Sequence, residues 1–224
     1  MSVHAAPIPV LHVDNNYQRV KRIVDVVFTL LIMVPLCIVT AIVALVILLD
    51  SKGPIFFRQK RVGQNGSEFE MLKFRSMYHN SNDALHRKAI HQFMNGGSLS
   101  HKDDDSKRYK LTNDARVTRV GRFLRRTSID ELPQFFNVLR GHMTLVGPRP
   151  ALRYEVELYS NHDHLRLSGK PGLTGPWQVY GRSKVSFQEM VQMDIDYLHQ
   201  QSVRQDLKLI ILTVPVMLLG HGAA

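Results

Sequence analysis

A single cysteine, Cys37, is the only thiol among 224 residues, so no internal disulfide can form and nothing calls for an oxidising compartment. Acidic residues are scarce as well: 19 Asp and Glu stand against 29 Lys and Arg, a net charge of +10. Such a surplus predicts attraction to phosphates, whether on nucleic acid, lipid headgroups or nucleotides, and charge alone does not choose among them. The length points to one principal body rather than two. No internal repeat is visible. Mean hydropathy of −0.13 is too polar for a polytopic membrane protein and too apolar for a disordered chain, so the apolar residues are concentrated locally or folded into a core.

The local concentration is Val26 to Leu49, which contains no charged residue and is long enough to be a transmembrane candidate. A cleaved signal fits poorly, because the stretch is longer than a signal's apolar region and Asp50-Ser51-Lys52 is no small-residue cleavage site. Basic residues flank both ends: Arg19, Lys21 and Arg22 before it, Lys52, Arg58, Lys60 and Arg61 after it. A spanning helix would leave one basic cluster on the wrong side of the bilayer. Pro35 lies inside the run, where proline removes a backbone hydrogen bond and crowds the preceding turn. Split there, the two halves would rise about 18 and 22 Å, each short of the roughly 30 Å hydrocarbon layer. The favoured expectation is a kinked helix that enters and leaves through one face; a kinked single span is the alternative. A second apolar stretch, Leu207 to Leu219, is interrupted by Lys208 and Pro215 and reads as a buried or an interfacial helix.

Between them, the sequence from Ile55 to Met77 shows two β-branched and aromatic runs joined through Asn65-Gly66, which predicts a β-hairpin. Residues 79 to 114 are polar and aperiodic and read as an insert or short helices. His86, His91 and His101 match no zinc spacing and receive no role. Thr118 is a candidate cap for a short basic helix through Arg126, and a second helix is expected from Ser128–Asp130 to Arg140, with Pro133 in its first turn and Gly141 as its stop. The dense Gly and Pro punctuation at 147–150 and 170–177 predicts rigid loops suited to binding. Residues 184 to 205 return to a helical pattern with Met190, Met193 and Tyr197 on one face.

Five arginines, Arg116, Arg119, Arg122, Arg125 and Arg126, precede Asp130 and Glu131 with no acidic residue among them. At about 100° per residue they cover an arc and cannot all grip one ligand, so Arg116, Arg119 and Arg122 are expected on lipid headgroups or in solvent. Ser128-Ile129-Asp130-Glu131 matches a capping box in which Glu131 merely satisfies backbone donors. In the functional reading, two adjacent carboxylates hold Mg²⁺ beside a phosphorylated ligand, or one attacks phosphorus. A carboxylate about 4 Å from a phosphate charge is opposed by roughly 4 kcal/mol per unit-charge pair at an effective dielectric of 20, so cations are needed to offset it.

Taken together, Arg-Gln-Lys-Arg-Val-Gly (58 to 63), Lys-Phe-Arg-Ser-Met (73 to 77), Arg-Arg-Thr-Ser-Ile-Asp-Glu-Leu-Pro-Gln (125 to 134), Leu-Val-Gly-Pro-Arg-Pro (145 to 150) and Gly-Leu-Thr-Gly-Pro-Trp-Gln-Val (172 to 179) resemble the bacterial sugar transferases, the monotopic phosphoglycosyl transferases. The resemblance covers about residues 17 to 220. It implies transfer of a sugar 1-phosphate from a UDP-sugar to a polyprenyl phosphate such as undecaprenyl phosphate, with release of UMP, as the first step of a surface polysaccharide. It makes Asp130 the nucleophile, with Glu131 helping to bind Mg²⁺ beside it, and assigns phosphate contacts to Arg125, Lys73 and Arg75 and uridine binding to Pro148, Arg149 and Pro150. His142 stands where the family usually has an acidic residue. Lacking the multi-span N-terminal extension of larger relatives, the chain resembles the minimal catalytic form.

The expected fold is therefore α+β and mostly helical, with a re-entrant kinked membrane helix and a small cytosolic body carrying a β-hairpin and interfacial helices. Residues 1–22 would form a tail, 23–49 the re-entrant helix and 50–224 the catalytic body, placed on the cytoplasmic face of the bacterial inner membrane. Nucleic acid is not an expected partner, because no aromatics interleave with the arginines as stacking platforms. A single-displacement glycosyltransferase or a polybasic lipid-binding module would share the membrane segment and basic patch without depending on Asp130. The sugar is not legible.

Overall fold

The structure is a computed structural model that describes residues 14–79, 84–95, 114–181 and 185–218. The expectations for Gly96-Gly97, His101, the acidic run 103–105 and the side chain of His86 fall outside them. The architecture is mostly helical with two small two-stranded sheets.

Helix α1 (Asn15–Asp50) contains the apolar run and is long and apolar enough to cross a membrane. It begins at Asn15, eight residues before the expected boundary at 23, and is capped by Asp14, whose carboxylate accepts from the Asn16 N–H at 2.9 Å. The extra turns are polar, and they form because the body supplies partners. Lys21 Nζ lies 2.5 Å from Asp206 and donates to the Tyr197 hydroxyl at 3.1 Å. Arg22 donates to the carbonyls of Val138 and Leu139, and Asp25 accepts from the Leu145 N–H at 2.9 Å and the Thr144 hydroxyl at 2.7 Å. The helix runs through Pro35 as one element rather than as two separate segments. Losing one hydrogen bond is outweighed by the continuous turns on either side. Leu30, Leu31, Val34, Ile38, Ile42 and Leu45 in its middle are exposed, whereas Val43 and Ile47 near its end are buried against the body.

Strands β1 (Phe56–Val62) and β2 (Glu68–Phe74) pair antiparallel, with Phe57 opposite Lys73. Asn65 and Gly66 at the turn take φ of 54° and 79°, the left-handed region in which Asn and Gly are tolerated best. Helix α2 (Ala84–Met94) buries Ile90, Phe93 and Met94; His91 bonds Asn95 at its surface. Helix α3 (Arg119–Arg126) is capped by Thr118, whose hydroxyl accepts from the Gly121 N–H at 2.9 Å. Gly121 is required rather than merely tolerated, because a Cβ there would stand 1.9 Å from the Ser76 carbonyl oxygen.

The single helix expected from Ser128 to Arg140 is two elements. A 3₁₀ turn over Ile129–Glu131 is followed by α4 (Gln134–Leu139), with Pro133 as its N-cap and Gly141 at φ 79° just past its end. Strand β3 (Thr144–Val146) pairs parallel with β4 (Gly172–Thr174), and Gly147 and Gly172 touch so closely that a Cβ on Gly172 would lie 2.1 Å from the Gly147 nitrogen. A short helix α5 (Arg153–Val156) and a 3₁₀ helix (Asp163–Ser168) lead to β4, and a π-helical turn, Trp177–Gly181, follows it.

The pattern read over 184–205 becomes α6 (Phe187–Gln200), opened by a Ser186–Glu189 capping box, and the start of α7 (Val203–Leu218). Met190 and Tyr197 face the interior as expected. Helix α7 is buried on one side only: Leu209 is fully buried while Leu207, Ile211 and Val214 are exposed. The core has three parts. One surrounds Trp177 between α2 and α6; a second joins β2, α4, β3 and α7; the third packs Val43 and Ile47 of α1 against Phe74, Leu124, Ile129 and Leu132.

Candidate active site

The third core part places the candidate carboxylates, because Ile129 and Leu132 anchor the turn that holds Asp130 and Glu131 directly on the end of α1. Ser128 sits at φ 58° and its side chain makes no capping bond, so the capping box suggested by the sequence does not form. Glu131 accepts instead from Lys73 Nζ at 2.7 Å, across from β2. The Glu131 side chain is 34% exposed and that of Lys73 17%, whereas Asp130 is 7% exposed. The acidic turn therefore presents an ion pair outward with a buried carboxylate beside it. Asp130 also lies in a three-residue 3₁₀ turn and not in the first turn of a long helix, so no long-helix macrodipole acts on its carboxylate.

The arginine run divides. Arg116 is not on lipid or in solvent: it makes a two-pronged ion pair with Asp114, at 2.6 Å from Nη2, and holds that carboxyl below the usual carboxylate range. Arg119, Arg122 and Arg126 are exposed, and Arg125 is half-buried on the last turn of α3, which packs on the Asp130 turn. Exposed Phe123 on α3 and exposed Phe56 and Phe57 at the start of β1 lie on elements that border the same end of α1.

Arg75 is brought to a different place from Lys73. Its guanidinium is 5% exposed and Nη2 donates to the Ser51 carbonyl at 2.6 Å, the Ser51 hydroxyl at 3.1 Å and the Ile47 carbonyl at 3.4 Å. It satisfies the last carbonyls of α1, where a cation suits the helix dipole.

Pro148, Arg149 and Pro150 form a second region. Arg149 and Pro150 line a pocket with Trp177, Glu155, Arg166 and the apolar side chains of α2, and the Arg149 guanidinium lies 5.8 Å from the Trp177 ring centre. Arg61 joins the two regions. It is 4% exposed, donates to the Pro150 carbonyl at 2.9 Å, and feels the charges of Arg149, Glu155 and Glu131. Burial first, then Arg149, pushes its guanidinium down to about 10, so it remains a cation at neutral pH. Arg61 and Trp177 lie inside the motifs that carry the family resemblance but draw no role from it, and Arg166 has no sequence signal.

Among the described residues no group of three or more His, Cys, Asp or Glu could hold a metal. Two adjacent carboxylates nonetheless suit Mg²⁺, which usually takes one or two carboxylates and completes its shell with water and substrate phosphate. The donor set at Asp130 and Glu131 fits that mode.

The candidate site is basic, bears two carboxylates and is built on the end of a helix long and apolar enough to cross a membrane. The bacterial sugar transferase family matches residues 16–220, and the chain belongs to that family. Curated relatives include the "Galactosyl transferase CpsE" of Streptococcus agalactiae, 41% identical over 91% of this chain and 43% of that protein. The "Exopolysaccharide production protein ExoY" of Sinorhizobium fredii is 36% identical over 91% of this chain and 87% of its own length. The "UDP-glucose:undecaprenyl-phosphate glucose-1-phosphate transferase" of Escherichia coli K12 is 39% identical over 87% of this chain and 39% of that protein. The chain thus spans less than half the length of some relatives and most of others.

Proposed function

We propose that the chain transfers a sugar 1-phosphate from a UDP-sugar to undecaprenyl phosphate and releases UMP, starting a surface polysaccharide. The observation that carries this is the Asp130–Glu131 turn, with Lys73 2.7 Å from Glu131, packed on the end of the apolar helix. The relatives' names supply the donor and acceptor classes, including galactose and glucose as sugars.

The donor's uridine would occupy the Arg149–Pro150 region and its diphosphate would reach toward Lys73 and Arg125. A carboxylate oxygen of Asp130 attacks the β-phosphorus, and the bond from that phosphorus to the bridging oxygen breaks, leaving UMP. An oxygen of the lipid phosphate then attacks the same phosphorus and displaces the Asp130 carboxylate, which is restored. Lys73 and Arg125 offset the repulsion between carboxylate and phosphate, and burial of Asp130 limits competing water. Bound Mg²⁺, held by Asp130 and Glu131, would neutralise diphosphate charge. Two successive displacements let one site take a hydrophilic donor and a lipid acceptor in turn.

The re-entrant disposition of α1 is part of the same reading. Lys21, Arg22 and Asp25 at one end and Val43 and Ile47 at the other pack on one body, while Leu30, Leu31, Val34, Ile38 and Ile42 between them are exposed and apolar. A bilayer between those attachments would separate them by about 30 Å of hydrocarbon, so both flanks belong on one face, the cytoplasmic one where UDP-sugars are made. Exposed Phe56, Phe57 and Phe123, with Arg119, Arg122 and Arg126, suit the headgroup layer at the acceptor's depth.

The test uses donor labelled at the β-phosphorus. Without acceptor, label should become acid-stable on the protein and leave on addition of undecaprenyl phosphate. Turnover in the Asp130→Asn variant would sink the covalent route. A cysteine introduced near residue 5 should stay unreactive to an impermeant reagent in intact cells, and its modification would place the tail outside.

A further inference from the structure

The Arg149–Pro150 region is held in an unusual way. Pro148 and Pro150 have no N–H, so the turn can contribute few donors of its own. Its carbonyls are instead taken one after another by different elements. The Gly172 N–H of β4 donates to Pro148 at 2.8 Å, Arg166 of the 3₁₀ helix to Arg149 at 3.5 Å, Arg61 of β1 to Pro150 at 2.9 Å and the Val62 N–H to Ala151 at 2.9 Å. Two of these donors are guanidinium groups with 4% and 3% exposure, Arg61 and Arg166.

Arg166 is itself fixed. It pairs with Asp194 of α6, which is fully buried, and donates to the Tyr159 hydroxyl at 2.8 Å. Arg166 Nε and Asp194 Oδ1 make no hydrogen bond among the described residues, so the pair is not fully satisfied. A buried ion pair of this kind seldom stabilises a fold more than apolar residues of the same volume would. What it does supply is geometry: a rigid, planar donor fork at a defined place.

We infer that Arg166, oriented by Asp194, and Arg61 are positioning residues that fix the Arg149 and Pro150 carbonyls, keep the Arg149 guanidinium beside Trp177, and so set the affinity for the nucleoside end of the donor. This rests on the reading that the donor's uridine lies there, and neither Asp194 nor Arg61 is assigned contact with the reacting atoms.

The experiment uses the full chain in lipid nanodiscs, comparing wild type with Asp194→Asn and Arg61→Lys. UMP binding is measured by calorimetry and UMP release by varying each substrate in turn. Both variants should raise the donor KM and the UMP Kd by about tenfold, equivalent to about 1.4 kcal/mol, with kcat and acceptor KM within about twofold. A merely structural role predicts the opposite pattern, a fall in kcat and Tm at constant KM, and would overturn the inference. So would unchanged UMP affinity in both variants. If one variant fails to fold, the other decides. If wild type binds UMP but never turns over a UDP-sugar, the proposed reaction fails, and the binding comparison still judges the positioning role.

Discussion

Around Asp130 the arrangement rests on side chains, and the ion pair of Lys73 with Glu131 leans toward solvent on a turn only three residues long. Around Arg149 and Pro150 it is the backbone that is gripped, by two buried arginines and by strands on either side. The ion pair of the first region is partly open to solvent; the second region cannot move without breaking buried hydrogen bonds. This division suits a reaction in which phosphorus passes between three oxygens while one end of the donor stays anchored. It also separates the two regions experimentally, since changes at the turn should act on kcat and changes behind the loop on donor KM.

The sharpest break of that division is at Asp130. Asp130→Asn should lower turnover by about 10⁴-fold or more and abolish donor labelling, with UMP affinity held close to wild type. Loss of UMP binding in that variant would mean the two regions are not separable. Next in size is Lys73→Met, which removes the cation beside Glu131 and should cost about 10²-fold in kcat with donor KM little changed. Chelation of Mg²⁺ should reduce turnover as severely and reversibly, and full activity in excess EDTA would remove the metal from the scheme.

The sequence disclosed the turn region better than the loop region. The hairpin was legible because Asn65-Gly66 is a local signal, and α3 because Thr118 and its capping bond are three residues apart. Ser128 and Glu131 misled, since a short motif does not reveal that Ser128 takes a left-handed backbone or that Lys73, 58 residues away, claims the carboxylate. The early start of α1 depends on Asp206, 185 residues distant, and no local pattern can report it. Asp194 was a missed signal: it stands four residues after Met190 on a face otherwise apolar, and an acid there asks for a buried cation. Nothing local identifies Arg166 as that cation.

Acidity tests the loop region without mutation. Burial pushes the Asp194 carboxyl up to about 6 against the opposing charge of Arg166, with Arg149 a weaker influence from the loop. The folded chain thus holds this proton more tightly than the unfolded chain, whose carboxyl titrates near about 3.9. By linkage the group's contribution to stability is fully present below about 4 and is lost as pH rises through about 6, while the ion pair with Arg166 is lost in the reverse direction. Donor KM should therefore rise by about threefold as pH falls from 7.5 to 5.5, and the rise should disappear in Asp194→Asn. The same slope in both proteins would assign it to another group.

The smallest effect is expected at Arg75, and it decides between two roles. A phosphate contact, as the motif implies, would make Arg75→Lys or Arg75→Met resemble Lys73→Met, with kcat down about 10²-fold. The observed bonds to Ser51 and Ile47 make Arg75 a clamp between the end of α1 and the strand that carries Lys73. Lysine there retains charge but loses the fork, so Arg75→Lys should lower kcat only about threefold while reducing Tm by several degrees, the cost of about 1–2 kcal/mol in a small body. Donor KM should not move, because Arg75 touches neither Arg149 nor Trp177 in the contacts that hold it. A large loss of kcat at unchanged Tm would return Arg75 to the phosphate and leave the end of α1 without its clamp.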